Sequence, residues 1–170
     1  NESVIEERKK KIADFFRHNY TWIFYAVLAL IVYLAVKIRT KNIPLLKDSA
    51  TGDWTLGPDL DPFLFLRWSK YIVDNGFLFD IDMMRYAPLG VSTSEEYLLH
   101  PHMMAWFHNI LSALGFSDSV TYSAIVYPVF FFAIAVVAFF FLSREIFRHH
   151  MGNKRASIIG LLSAFFLSVF

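Results

Sequence analysis

Val129-Phe130-Phe131-Phe132-Ala133-Ile134-Ala135-Val136-Val137-Ala138-Phe139-Phe140-Phe141 is thirteen consecutive apolar residues, and its reading decides the class of fold. The run sits inside a longer interval, Ser119 to Ser143, that holds no Asp, Glu, Lys, Arg or His. At a rise of about 1.5 Å per residue, about 20 such residues cover a hydrocarbon core of about 30 Å. Pro128 breaks a helix interior in water, but spans tolerate it because neighbouring groups satisfy the freed carbonyl. Working outward, Tyr20 to Val36 is 17 residues without a charge and Ile38 extends it, with Tyr20, Trp22 and Tyr33 near its ends as interfacial rings. Its length and the absence of a small-residue cleavage site at Lys37-Ile38-Arg39-Thr40 favour an uncleaved span over a signal peptide. Ala156 to Phe170 is a third uncharged block, expected to be a span cut short.

Composition supports the same class. Hydrophobic residues make up 56%, mean hydropathy is +0.43, and only 18% of residues are charged, against about 25% charged in a soluble domain. Disorder, a collagen-like repeat and a disulfide scaffold are excluded. With 0 Cys there is no thiolate metal site and no thiol nucleophile. Lys+Arg 16 against Asp+Glu 15 leaves a net charge of +1, so no basic excess points to nucleic acid.

The expected organisation is an all-α multi-pass membrane protein. It comprises a basic cytoplasmic tail (1–19), a first span (20–38), an outer loop (39–118) with helices near 62–75 and 102–116, a second span (119–143), a cytoplasmic loop (144–155) and a third, truncated span (156–170). The charges agree. Arg8, Lys9, Lys10, Lys11 and Arg17 fall on one side with Arg144, Arg148, Lys154 and Arg155, as the positive-inside bias asks. Ten carboxylates (Asp48, Asp53, Asp59, Asp61, Asp74, Asp80, Asp82, Glu95, Glu96 and Asp118) fall on the other. Lys37, Arg39 and Lys41 run against the bias. In 102–116, Met103, Met104, Trp106, Phe107, Ile110, Leu111 and Leu114 alternate with His102, His108, Asn109 and Ser112. That pattern predicts an amphipathic helix lying along the interface or packed on other helices.

The outer loop, about 80 residues, is too long for a passive connection. Its clearest element is Asp61-Pro62-Phe63-Leu64-Phe65-Leu66-Arg67-Trp68-Ser69-Lys70-Tyr71-Ile72-Val73-Asp74-Asn75-Gly76. Asp61 at an N-cap, Pro62 at the first helical position and Gly76 after the last turn are helix start and stop signals. Leu64, Trp68, Tyr71 and Ile72 fall on one stripe. Capping is a sufficient role for Asp61; metal or catalytic duty is the sharper one. Asp59-Leu60-Asp61 and Asp80-Ile81-Asp82 have the look of cation-binding acidic pairs, a pattern common by chance. His100-Pro101-His102 reads as a turn before it reads as a metal ligand pair.

Taken together, the first span, Asp61-Pro62-Phe63 through Arg67 and Lys70-Tyr71 to Gly76, then Arg85-Tyr86-Ala87-Pro88-Leu89-Gly90 and Leu99-His100-Pro101, resemble the N-terminal part of the catalytic subunit of asparagine-linked oligosaccharyltransferase, most like the archaeal single-subunit form. The resemblance covers roughly residues 20–170. It implies the GT-C membrane glycosyltransferase fold and transfer of a glycan from a lipid-linked polyprenyl phosphate or diphosphate donor to Asn of an Asn-x-Ser/Thr acceptor. It implies that Asp61 is the catalytic first-loop acidic residue and binds a divalent cation, Mg²⁺ or Mn²⁺. Gly57 lies two residues before Asp59 and four before Asp61, where the family spacing is three, so Asp59 is a second candidate ligand. Arg67 and Arg85 match in type and are candidate substrate contacts. The second acidic motif, due after the third span, and the C-terminal acceptor-binding signature do not occur in these residues. The expected partners are therefore donor, acceptor polypeptide, membrane lipid and the remainder of the enzyme, as continuation or second chain, in a plasma membrane if the form is archaeal. Another GT-C transferase and a non-catalytic membrane scaffold are the competing readings.

Overall fold

The structure, a computed structural model, describes residues 4–9, 20–94, 96 and 98–170; most of the expected basic tail, and Glu95, lie outside them. The chain is mostly helical: α1 (Tyr20–Thr40), a 3₁₀ turn (Ile43–Leu46), α2 (Leu60–Asn75), β1 (Ile81–Asp82), β2 (Val91–Ser92), α3 (Leu99–Ala113) and α4 (Val120–Val169). It divides into two compact bodies, one of residues 1–39 with 131–170 and one of residues 40–130.

The first body is apolar. Both α1 and α4 are long and apolar enough to cross a membrane. Residues 144–155, expected as a loop, are helical on both sides of Gly152, the one point inside α4 with a non-helical backbone (φ 76°, ψ 162°). Glycine reaches that conformation without a Cβ clash, so one residue is enough to turn the helix back. Beyond it, Gly160 meets Phe140, while Leu28, Ile31, Ala35, Val136, Phe140 and Ala164 form a common core. The ends fix the directions. Arg144 Nη1 donates to Tyr25 Oη at 3.3 Å, whereas Arg39 stacks on Phe132 (3.3 Å to the ring centroid) and donates to Ser168 O at 3.0 Å. So α1 is antiparallel to the first arm of α4 and parallel to the second. Arg39 also satisfies a carbonyl in the last turn of α4, where cations are favoured.

The second body is built on α2 packed against α3. Asp59, not Asp61, is the N-cap; its side chain makes no capping hydrogen bond, and Asp61 lies in the first turn. Pro62 is then third in the helix, where its missing N–H is still one of those with no intrahelical acceptor. Gly76 ends the helix as the sequence indicates, at φ 82° with its N–H on Ile72 O at 2.8 Å. Trp68 and Ile72 are buried. Buried Ser69 bridges Phe65 O (2.8 Å) and Pro101 O (3.0 Å), tying α2 to α3.

The small ladder pairs Ile81 with Ser92 and Asp82 with Val91. Arg85-Tyr86-Ala87-Pro88-Leu89-Gly90 forms the loop between its strands. Gly90 has φ 75°, and a Cβ there would sit 2.5 Å from Ile81 Cγ2, so only glycine closes this hairpin without displacement. Asp82 is 1% exposed. It accepts two hydrogen bonds from the Arg67 guanidinium, one of them at 2.9 Å, one from Trp68 Nε1 at 3.0 Å and one from Met84 N at 3.1 Å. Burial alone raises a carboxyl pKa. Here the bonds from Arg67, Trp68 and Met84, with the Arg67 charge, outweigh it and hold Asp82 below the ordinary carboxylate range.

The amphipathic expectation for α3 is reversed in part. His108 is buried and its Nδ1 lies 2.9 Å from Ser123 Oγ, while Trp106, Ile110 and Leu114 are exposed. The hydrogen bond offsets the cost of burying the ring. Burial also lowers the His108 pKa, against the opposing charge of Asp118, and favours the neutral imidazole.

Two outcomes follow from this packing. A Cβ on Gly160 would stand 2.9 Å from Phe140 O. Gly160→Leu should therefore destabilise by about 1–3 kcal/mol through overpacking, read as a lower melting temperature in detergent; an unchanged value would mean the arms part freely. Breaking a fully buried ion pair costs about 3–5 kcal/mol. Arg67 keeps 30% side-chain exposure, so Asp82→Ala should cost somewhat less. Because the folded pKa of Asp82 is lowered, its contribution is complete above the unfolded value and is lost as pH falls through the folded one. Acid titration of unfolding should be flatter in Asp82→Ala than in the parent.

Candidate functional site

Asp61 and Phe65 are one turn apart on α2, and His100 and Met104 one turn apart on α3; residues at this spacing share a face. With Leu56, Pro62 and Ala124, Tyr127 and Pro128 of α4 they line a cavity of about 300 Å³. Its walls are apolar and its polar groups few, as in small-ligand sites. Asp61 is exposed, and its carboxylate has no hydrogen bond or ion pair among the described residues. It stands in the first turn of α2, where the helix dipole favours negative charge.

His100 is wedged between aromatic rings, edge-on to Phe65 (4.8 Å between centroids) and Tyr127 (5.4 Å). Burial lowers its pKa and favours the neutral ring. Among the described residues its ring nitrogens have no hydrogen-bond partner. His102, two residues on, turns back so that Nδ1 lies 2.8 Å from Leu98 O. His100-Pro101-His102 is therefore the first turn of a helix, and the two rings take separate roles. Pattern reading alone offered the pair as joint ligands or as a bare turn; the cavity singles out His100, which the sequence marked only by a neighbouring proline.

The other candidates lie elsewhere. Asp59 is exposed at the α2 cap and does not line the cavity; residues two apart do not face each other on a helix. Arg67 is held by Asp82, with its guanidinium carbon 5.7 Å from the Phe79 ring centroid. Arg85 pairs with Glu96 at 2.8 Å and lies 5.8 Å from the Trp68 ring centroid. Asp80 is exposed and Asp82 buried, so that pair does not present two carboxylates to one ion. A larger cavity, about 600 Å³, is lined by Thr40, Ile43, Pro44, Trp54, Phe116, Ser117, Tyr122 and Val126 and has no carboxylate, imidazole or cationic group in its lining.

Among the described residues no three His, Asp or Glu side chains group to hold a metal ion. One open carboxylate supplies only part of an Mg²⁺ or Mn²⁺ set, which takes about six oxygen donors. Chemically the cavity can accept hydrogen bonds at Asp61, exchange a proton at His100 and exclude water along its apolar wall. The chain matches no protein-family model, no curated protein and no solved structure.

Proposed function

We propose that this chain is the N-terminal part of a multi-pass GT-C oligosaccharyltransferase, which transfers a glycan from a lipid-linked polyprenyl phosphate or diphosphate to Asn of an Asn-x-Ser/Thr acceptor. The observation that carries this reading is the unpaired Asp61 carboxylate on an apolar cavity, in a chain whose α1 and α4 can cross a membrane by length and composition. The proposal rests also on the resemblance of the Asp61–Gly76 and Arg85–Gly90 segments to that family.

A carboxamide nitrogen is a poor nucleophile because its lone pair is delocalised into the carbonyl. Asp61 accepts a hydrogen bond from the acceptor carboxamide and orients it, and the Phe65, Met104 and Tyr127 wall keeps water from competing for the donor. A bound Mg²⁺ or Mn²⁺ would be held in part by Asp61 and offset charge on the leaving phosphate; its remaining ligands come from elsewhere in the enzyme. Arg67 and Arg85, already ion-paired, position the loop in this scheme.

The N-terminus and the Gly152 turn then face the cytosol, and residues 40–119 face outward. Arg39, which runs against the positive-inside bias, is engaged by Phe132 and Ser168 O.

In the enzyme containing this chain, Asp61→Ala should lower transfer to an Asn-x-Thr peptide by about 10²–10³-fold, the loss usual for one key polar group at a reaction centre. Asp59→Ala should stay near the parent rate. Equal losses would shift the role to the pair, and full activity of Asp61→Ala would remove the cavity from the chemistry. The chain has 0 Cys, so single cysteines report topology cleanly. Asp53→Cys should react with an impermeant maleimide from outside the cell, and Lys154→Cys only after permeabilisation.

A further inference from the structure

The cavity of about 600 Å³ lies wholly within the body of residues 40–130, and the chemistry proposed for Asp61 makes no use of it. Three aromatic residues border it: Trp54, Phe116 and Tyr122. Two of the rings are fixed by their surroundings. Lys47 and Trp54 form an antiparallel bridge, flanked by Thr55 N on Leu46 O at 2.8 Å and Asp48 N on Asp53 O at 2.9 Å. Lys47 Nζ stands 4.8 Å from the indole ring centroid, and the Tyr122 ring lies 4.9 Å away at 46°. Tyr122 is set by the start of α4, where its N–H donates to Ser119 Oγ at 3.2 Å in the manner of an N-cap. Phe116 is 72% exposed and has no ring contact among the described residues.

Two polar atoms of these residues are unused. Trp54 Nε1 and Tyr122 Oη have no hydrogen-bond partner among the described residues, whereas Trp68 Nε1 donates to Asp82. An indole or phenol that is apolar over its ring and unpaired at its tip is suited to a contact that satisfies both.

The lining decides which ligand fits. It holds no carboxylate, imidazole or cationic group, so a charged ligand would give up hydration without meeting a counter-charge. A hydrocarbon chain would cover the indole N–H and the phenol O–H and give neither a partner. A neutral sugar ring meets both conditions. Its C–H groups make an apolar face that packs on an aromatic ring, and its hydroxyls accept from an N–H and exchange hydrogen bonds with a phenol. The volume falls in the range of about 300–1,000 Å³ usual for small-ligand pockets, which admits a monosaccharide or disaccharide. Tyr122 and Val126, one turn apart, line this cavity, while Ala124, Tyr127 and Pro128 line that of Asp61, so the two open on different faces of α4.

We propose that this cavity is a carbohydrate site, separate from the Asp61 cavity, in which a neutral hexose or N-acetylhexosamine ring packs on Phe116 and hydrogen-bonds to Trp54 Nε1 and Tyr122 Oη. The inference goes beyond the transfer reaction proposed above and does not require it.

The test is saturation-transfer NMR on the whole chain in phosphatidylcholine nanodiscs, with no glycoside detergent to compete. The probes are maltose and N,N′-diacetylchitobiose. Irradiation of the protein's aromatic protons should saturate one or both sugars. Trp54→Phe and Tyr122→Phe keep a ring and delete the polar atom, and each should weaken binding by about 2–10-fold. Phe116→Ala should weaken it by about fivefold or more, and Asp61→Ala should leave it unchanged. No saturation of either sugar by the parent chain would overturn the site, as would binding that survives all three aromatic changes. Loss of binding in Asp61→Ala alone would place the sugar in the other cavity and overturn it equally. Displacement of the soluble sugar by a galactosyl diacylglycerol added to the nanodiscs would make a lipid-borne sugar the source, and no displacement a free one; either result keeps the site. Circular dichroism checks each variant, and Tyr122→Phe decides the matter should Phe116→Ala misfold.

Discussion

The buried carboxylate of Asp82 is the constraint on which the body of residues 40–130 depends. A charge that is 1% exposed is stable only when its oxygens are fully engaged. Arg67, Trp68 and the Met84 amide engage them together. Because Arg67 and Trp68 are adjacent on α2 while Asp82 and Met84 belong to the β1 hairpin, one anion fixes the rotation of the helix about its axis. That rotation decides which α2 residues face α3, and hence that Asp61 and Phe65 line the cavity. The hydrogen bond from Ser69 to Pro101 O fixes the same helix from its other side.

The apolar body is held differently. It has no comparable buried ion pair among the described residues; close approach does the work, with Gly160 against the Phe140 backbone and Ala35 and Ala164 fully buried. Small residues let helices approach where the surroundings are as apolar as the side chains and burial offers little driving force. Arg39 and Arg144 sit at opposite ends of the α1–α4 packing, on Ser168 O and Tyr25 Oη, so charge is confined to the rims.

Much of this was legible in the sequence, for identifiable reasons. The apolar blocks and the Gly76 stop depend on local chemistry, composition and an αL requirement, and these read directly from residues. The Asp61 cap did not, because Asp59 and Asp61 both suit a cap and Pro62 is tolerated at any position of the first turn. The reversed face of α3 was illegible too. Periodicity assigns histidine to the wet side, and only the partner Ser123, fifteen residues away, makes His108 a buried residue. The stretch 144–155 looked like a polar loop, but it is helical up to and beyond Gly152, whose non-helical backbone alone separates two arms that pack on each other. The cavity needed three helices in register, which no pattern within one helix encodes.

Four aspartates in one stretch show how environment, not residue type, assigns a task. Asp48 accepts from Ala50 N and Thr51 N and makes a local turn. Asp59 supplies an extended backbone at a helix start, and Asp82 is saturated inside the fold. Asp61 has none of these duties and stands beside an apolar wall. Replacing it by a neutral residue would forfeit only the dipole interaction of a first-turn carboxylate, about 0.3–1 kcal/mol, so the fold depends little on its charge. A carboxylate that the fold scarcely requires, exposed at the edge of an apolar cavity, retains both oxygens for a ligand. This separation of Asp82 as a structural anion from Asp61 as an available one places the chemical argument on a single side chain.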